Sequence, residues 1–116
     1  MTIGEVIAAA KAEKPNSYEE NTLFAWVARL ENMICAEILK EPPRALQYPE
    51  DMNAVLCAPQ AYERIYLEYV FAMIDFQNQE FSAYQNEMEL FNESFDSYSK
   101  WYLRNHIPKT NEKVKT

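Results

Sequence analysis

The chain is short of the residues from which many active sites are built. Its 116 residues include one glycine, Gly4, so it cannot form the glycine-rich loops that cradle phosphates or dinucleotides. A single histidine, His106, excludes a histidine-based metal cluster, and its place near the end of a predicted helix is explained by capping. Cys35 and Cys57 do not form a Cys-x-x-Cys pair, so we expect free, largely buried thiols. The sequence therefore predicts no catalytic activity, no metal and no cofactor.

Long apolar runs are also missing. No stretch approaches the roughly 20 apolar residues that a transmembrane helix needs, and the opening MTIGEVIAAAKAEK does not begin with the basic residues of a signal peptide. We therefore expect a soluble, intracellular protein that has no contact with a membrane. An apolar content of 48% and an aromatic content of 14% are sufficient for a folded core, and the length favours one domain.

Negative charge dominates, but its distribution is uneven. The formal net charge is −7. Residues 50–96 carry Arg64 against ten carboxylates, whereas residues 97–116 carry five cations against Glu112. An acidic middle argues against a broad phosphate-binding face, because such a face needs excess positive charge. The basic end either contacts an acidic partner or is a solubilising tail, and composition does not separate the two.

Helical periodicity and capping signals define the first half of the chain. Thr2 and Glu5 have the spacing of a capping box, so a first helix is expected to begin directly after Thr2 and to end before Pro15. Ser17 and Glu20 repeat this spacing ahead of a second, strongly amphipathic helix.

Residues 41–60 interrupt the pattern. They contain four prolines, at positions 42, 43, 49 and 59, which exclude a regular helix. Segments of this length without secondary structure are unusual inside compact domains and are typical of binding loops or disordered linkers. We favour a pinned loop that contacts a partner over a floppy linker. Pro59 then fits the first turn of a third helix.

Two aromatic stripes follow, with a slip between them. The first comprises Tyr62, Tyr66, Tyr69, Met73 and Phe76. The step from Phe76 to Phe81 is one residue too long for a continuous stripe, which predicts a tight turn or a sharp kink near Asn78. The fourth helix is expected to end near His106. The sequence thus predicts an all-α bundle of about four helices over residues 1–107, with a long proline-rich loop between helices 2 and 3. Residues 108–116 are expected to be a flexible basic tail.

The fourth helix carries a ladder of bulky side chains, spaced alternately by three and four residues. Its members are Phe81, Tyr84, Met88, Phe91, Phe95, Tyr98 and Tyr102. Such a ladder can form a bundle core, a seam between subunits or a stacking surface for nucleic acid. Stacking surfaces need basic neighbours, whereas the neighbours here are acidic. We interpret the ladder as a helix-packing face or subunit seam, with Phe91 and Phe95 at its driest part.

The acidic neighbours are Glu87, Glu89, Glu93 and Asp96. Paired carboxylates can support acid–base or metal chemistry, but di-metal sites in bundles use Glu-x-x-His pairs, which the sequence lacks. We interpret these residues as a solvated face, on which Asp96 and Lys100 form an ordinary surface pair.

With these segments in place, the chain resembles the head–tail connector (adaptor) proteins of tailed bacteriophages and prophages. The resemblance lies in the opening TIGEVI…KPNSYEE, in the helix LFAWVARLENMICAEIL and in the long stretch from APQAYERIYLEYV to KWYLRNHIPK. Together these cover most of residues 2–109. The chain differs at Asn78-Gln79, where such proteins often carry Asn-Gly.

This resemblance implies a small helical protein that forms a ring, commonly of about twelve subunits, below the portal. It implies assembly in the host cytoplasm and a final location at the head–tail junction of the virion. The implied partners are further copies of the chain, the portal protein and a tail-completion or stopper protein. DNA passes through the ring without specific binding, and the acidic face of the fourth helix either lines that channel or faces solvent.

Within this interpretation the basic end is the predicted docking site for the portal. The residues concerned are Lys100, Trp101, Tyr102, Arg104 and Lys109. The residues by themselves leave a second hypothesis open, namely a small acidic helical protein-binding module or regulator that is monomeric or dimeric.

Overall fold

Four α-helices form the framework of the computed structural model, which describes residues 1–106. They are α1 (Ile3–Glu13), α2 (Glu20–Ile34), α3 (Arg64–Gln77) and α4 (Phe81–Asn105). A π-helical turn, Cys35–Leu39, follows α2, and a 3₁₀ turn, Gln60–Tyr62, precedes α3. The predicted all-α bundle with a long loop between helices 2 and 3 is confirmed. The predicted tail, residues 108–116, lies outside the described residues and includes Lys109.

The first helix begins and ends where the sequence predicts. Thr2 Oγ1 accepts a hydrogen bond from the Glu5 N–H at 3.2 Å, and Glu5 Oε1 accepts one from the Thr2 N–H at 2.7 Å. These bonds favour the charged carboxylate and lower the pKa of Glu5. The buried side of α1 comprises Ile3, Val6, Ile7 and Ala10.

The prediction of a second capping box, at Ser17 and Glu20, is wrong. The N-cap of α2 is Glu19, which has no side-chain cap, and the helix begins at Glu20. Asn16 Oδ1 accepts a hydrogen bond from the Tyr18 N–H at 3.0 Å, so the chain forms a local turn after Pro15. That turn delays the helix, and Ser17 is left outside it.

The prolines of the loop follow a sharp end to α2. Lys40 has a left-handed backbone with φ 56°, and the Glu41 N–H donates to the Cys35 carbonyl at 2.8 Å. This closure ends the helical segment before Pro42. At the far end of the loop Pro59 is the N-cap of the 3₁₀ turn, so it precedes α3 rather than lying in its first turn.

The third helix is the centre of the bundle. It contacts α1, α2 and α4, and most of its residues from Ile65 to Asp75 are buried. A helix that is apolar around most of its circumference needs neighbours on several sides, and α3 has them.

A tight turn, not a kink, separates α3 from α4. Gln79 has a left-handed backbone with φ 59°, and the Glu80 N–H donates to the Asp75 carbonyl at 2.9 Å. The fourth helix then runs back along α3. Phe76 pairs with Tyr84 at the turn, and Tyr69 pairs with Phe91 further along, at ring-centroid distances of 5.2 and 5.4 Å.

The ladder of α4 is buried unevenly. Phe91 and Tyr98 are buried, whereas Phe81 is 53% exposed. Tyr84, Met88, Phe95 and Tyr102 are half-buried. The driest positions are therefore Phe91 and Tyr98, and Phe95 lies beside them at 5.5 Å from the Phe91 ring.

Candidate functional site

A buried carboxylate holds the long loop against the helices. Glu31 of α2 is fully buried, and its Oε2 accepts hydrogen bonds from Arg44 Nη1 at 2.6 Å and from the Cys57 N–H at 3.0 Å. Its Oε1 accepts from the Tyr66 hydroxyl at 2.7 Å and from Cys57 Sγ at 3.3 Å. A buried carboxylate is costly unless donors surround it, and here each oxygen has two. We call Glu31, Arg44, Cys57 and Tyr66 the Glu31 cluster.

Arg44 joins both arms of the loop to α2. The outgoing arm leaves α2 and contains Arg44, and the returning arm contains Val55 and leads to α3. Its Nη1 also donates to the Val55 carbonyl at 2.9 Å. Its main-chain N–H donates to Asn32 Oδ1 at 2.8 Å, and Asn32 Nδ2 donates to the Arg44 carbonyl at 3.4 Å. The outgoing and returning arms are therefore held by one residue.

The returning arm also closes the start of α1. The Ile3 N–H donates to the Ala54 carbonyl at 3.2 Å, and the Gly4 N–H donates to the Met52 carbonyl at 2.8 Å. These bonds satisfy amide groups that a helix N-terminus leaves without partners. A Cβ at Gly4 would lie 3.2 Å from the Met52 oxygen, so a glycine permits this close approach.

The loop is consequently pinned, and the floppy linker is excluded. Its outer side leaves Tyr48 39% and Val55 65% exposed. Tyr48 is itself held, because its hydroxyl donates to Glu20 at 2.9 Å and its ring packs edge-on against Phe24 at 5.5 Å. A pre-ordered loop with exposed apolar side chains is suited to binding, since little entropy is lost on contact. Contact with a partner stays a prediction.

The cysteines are poor nucleophiles in this fold. Burial and then the negative charge of Glu31 raise the pKa of Cys57 to about 12. Burial, again followed by Glu31, raises the pKa of the Cys35 thiol as well. Both thiols are thus protonated at neutral pH, and the Cys57 thiol serves as a hydrogen-bond donor to Glu31.

Aromatic rings cluster at the carboxyl end of α4. Trp101 lies 5.5 Å from the Tyr62 ring and 6.2 Å from the Tyr98 ring. Tyr102 stacks on His106 at 3.9 Å. An open cavity of about 210 Å³ is lined by the rings of Tyr98, Trp101, Tyr102 and His106 and by Leu39, Cys57 and Pro59. We call this region, Tyr98 to His106 with Tyr62, the aromatic end.

Four of the five predicted docking residues lie at the aromatic end, and they differ in exposure. Trp101 and Tyr102 are half-buried, because their rings are partly used in packing within the chain. Lys100 and Arg104 are exposed, and Lys100 pairs with Asp96 at 2.9 Å as the i, i+4 spacing predicts. Lys109, the fifth residue of the set, lies outside the described residues. His106 caps α4, with its N–H 3.4 Å from the Leu103 carbonyl and Nδ1 2.9 Å from the Tyr102 carbonyl.

The acidic residues of α4 face mainly outward. Glu89, Glu93 and Asp96 are exposed, and Glu87 is half-buried. Glu93 borders a groove of about 310 Å³ that it shares with Tyr62, Arg64, Ser94 and Ser97. Within residues 1–106, no group of three or more His, Cys, Asp or Glu side chains is arranged to hold a metal ion. No helix in this part of the chain is long and apolar enough to cross a membrane.

Comparisons with known proteins add no relative: no protein-family model, curated protein or solved structure matches the chain. The resemblance to connector proteins, with the ring, portal and channel that it implies, therefore stays a prediction.

Sequence reasoning missed the Glu31 cluster. One signal was present, because Glu31 lies on the otherwise apolar face of α2, between Val27 and Ile34. A lone carboxylate in such a place indicates a buried acid that must find donors elsewhere in the fold. The donors themselves, from the loop and from α3, had no recognisable spacing.

Proposed function

We propose that this chain is a structural head–tail connector (adaptor) protein of a tailed phage or prophage. In this proposal, copies of the chain form a ring below the portal, join head to tail and let DNA pass. The observation that carries the proposal is the rigid loop. The Glu31 cluster fixes a long, proline-rich segment in one conformation while Tyr48 and Val55 stay exposed on its outer side.

A ring subunit needs two unlike contact surfaces, because a ring is closed by head-to-tail contacts. The chain offers the outer side of the loop, which rests on α1 and α2, and the aromatic end of α4, which rests on α3 and the π-helical turn. The aromatic end adds exposed Lys100 and Arg104, and aromatic rings with basic residues are typical anchors at protein interfaces. We assign portal docking to this end, namely to Lys100, Trp101, Tyr102, Arg104 and Lys109.

The acidic face of α4 is compatible with a DNA channel. Exposed Glu89, Glu93 and Asp96 repel phosphate, so DNA would slide past such a wall rather than bind to it. Specific DNA binding is not part of the proposal.

The alternative is a small acidic helical protein-binding module or regulator, monomeric or dimeric. It is compatible with a single copy, which already buries a continuous core that joins α1, α2, α3 and α4. A ring subunit of this kind would also be folded alone, so the two functions differ in what the chain does when a portal is present.

The test mixes the purified chain with the portal protein encoded in the same genome and images the mixture by electron microscopy. We expect rings of the chain on one face of the portal. The variant Val55→Asp should reduce ring formation, because it places a charge in the proposed contact. The matched control is Ala8→Asp, at an exposed position in the middle of α1. A chain that stays monomeric or dimeric and leaves the portal bare would support the alternative.

A further inference from the structure

We propose that protonation of Glu68 controls how firmly α4 is held on α3, with α4 held more tightly in acid than at neutral pH. The proposal concerns the single chain and does not depend on ring formation.

The geometry around Glu68 leaves its charged carboxylate only partly compensated. Glu68 lies on α3, is 9% exposed, and its Oε1 has no hydrogen-bond partner among the described residues. From α4, the negative charges of Glu87 and Glu93 disfavour its charged form, whereas the Ser94 hydroxyl favours it. The cation on its own helix, Arg64, is shared with Glu13 of α1, whose oxygens lie 3.0 and 3.2 Å from the guanidinium.

The contact between α4 and α3 is the part of the fold that should respond most to the charge of Glu68. Of its 25 residues only Phe91 and Tyr98 are buried, and its contacts are mainly with α3 and the π-helical turn. An element with so few buried side chains opens at a lower free-energy cost than the central helix. A partly compensated charge in its contact with α3 therefore acts directly on its closed state.

The direction of the pH effect on α4 follows from the opposing effects on the pKa of Glu68. Burial, aided by the negative charges of Glu87 and Glu93, raises the pKa of Glu68 above its ordinary value of 4.5, although Ser94 and Arg64 act in the opposite direction. A group whose folded pKa is raised contributes stability that is fully present below the unfolded pKa. This contribution is lost as the pH rises through the folded pKa. Each pKa unit corresponds to about a tenfold change in the ratio of closed to open α4.

The measurement must report on α4 alone, because the pH dependence of global unfolding combines the effects of all the carboxylates. Glu31 and Asp75 are also buried, but their carboxylates pair with Arg44 and Lys14. We therefore choose amide hydrogen exchange of α4, measured for the full chain and for Glu68→Gln at about pH 5 and about pH 7.5. The ratio of the two proteins' rates at each pH removes the intrinsic pH dependence of exchange.

We expect α4 amides to exchange more slowly in Glu68→Gln than in the unchanged chain at about pH 7.5. The ratio of rates should move toward one as the pH falls from about 7.5 to about 5, because a proton on Glu68 removes the same charge as the substitution does. Glu93→Gln, which removes one of the facing charges, should slow α4 exchange in the same direction and by less. The matched control is Glu89→Gln on the exposed face of α4, which should leave the ratio at one at both pH values.

Equal or faster α4 exchange in Glu68→Gln at about pH 7.5 would overturn the proposal, provided that circular dichroism shows a folded variant. A ratio that is the same at both pH values would also overturn it, because the effect would then be one of packing. If Glu68→Gln does not fold, Glu93→Gln decides alone: unchanged or faster exchange contradicts the proposal.

Discussion

The three buried acids of residues 1–106 have three different environments. Glu31 receives two donors on each oxygen, and Asp75 pairs with Lys14 while its Oδ2 has no hydrogen-bond partner among the described residues. Glu68 faces other carboxylates. Because the cost of a buried charge depends on its partners, removing a partner matters most at Glu31, where the network is complete.

The hydroxyl of Tyr66 is the sharpest test of that network. It donates to Glu31 Oε1 at 2.7 Å and accepts the Ala58 N–H at 3.1 Å. Tyr66→Phe leaves the Ala58 N–H unpaired in a buried place, so we expect a loss of about 1–3 kcal/mol in unfolding free energy. Chemical denaturation measures this loss, and hydrogen exchange should show reduced protection at residues 57 and 58.

The control for this prediction is Tyr69→Phe. Tyr69 is buried one turn further along α3, and its hydroxyl takes no part in the Glu31 cluster. We expect less than about 0.5 kcal/mol of change there. Equal losses for the two variants would mean that the Tyr66 hydroxyl does not hold the loop.

At the scale of elements, the sequence predicts the features that depend on residues close together in the chain. The start of α1 follows from Thr2 and Glu5, because both halves of its capping box lie within one turn. The start of α2 does not follow from Ser17, because the competing turn at Asn16 uses the same kind of side-chain bond.

The path of the loop was beyond prediction for a different reason. Its bonds join residues far apart in the chain, such as Glu31 with Cys57 and Ile3 with Ala54. The four prolines indicate only that the segment is not helical. The candidate site is therefore predictable at the aromatic end, where one helix places the side chains, and not at the Glu31 cluster.

The turn between α3 and α4 carries a conformation that its residue disfavours. Gln79 has φ 59°, where a side chain costs about 1 kcal/mol and glycine does not. We expect Gln79→Gly to raise the unfolding free energy, by less than that amount because glycine also gains entropy in the unfolded chain. The melting temperature, measured by circular dichroism, should increase.

Gln85→Gly is the matched control, because Gln85 is exposed inside α4. Glycine in a helix interior costs about 1 kcal/mol, so this variant should melt at a lower temperature. A decrease for Gln79→Gly as well would mean that the left-handed turn is not a source of strain.

At the scale of the molecule, the chain separates its charges. Residues 50–96 hold ten acids against Arg64, and residues 97–116 hold five cations against Glu112. The described part of this division runs along α4, which has no acid in its first turn, carries its acids from Glu87 to Asp96 and has Lys100 and Arg104 near its end. Arg104 in the last turn also complements the helix dipole, so this cation is stabilising without a partner.

Removal of the residues after Ile107 separates a docking role of the basic end from that stabilising role. The deleted segment holds Lys109, Lys113, Lys115 and Glu112, a net loss of two positive charges (three minus one). If the lysines steer the chain to the portal, truncation should leave helix content and melting temperature unchanged and should weaken attachment to purified portal. The remaining binding should depend less on salt, because fewer charges take part.

The control is the double variant Lys11→Gln and Lys40→Gln, which removes the same net charge from exposed positions elsewhere and should bind as the full chain does. Equal attachment of truncated and full-length chains would identify the segment as a solubilising tail. Equal weakening by truncation and by the double variant would mean that net charge, and not the position of the basic end, governs attachment.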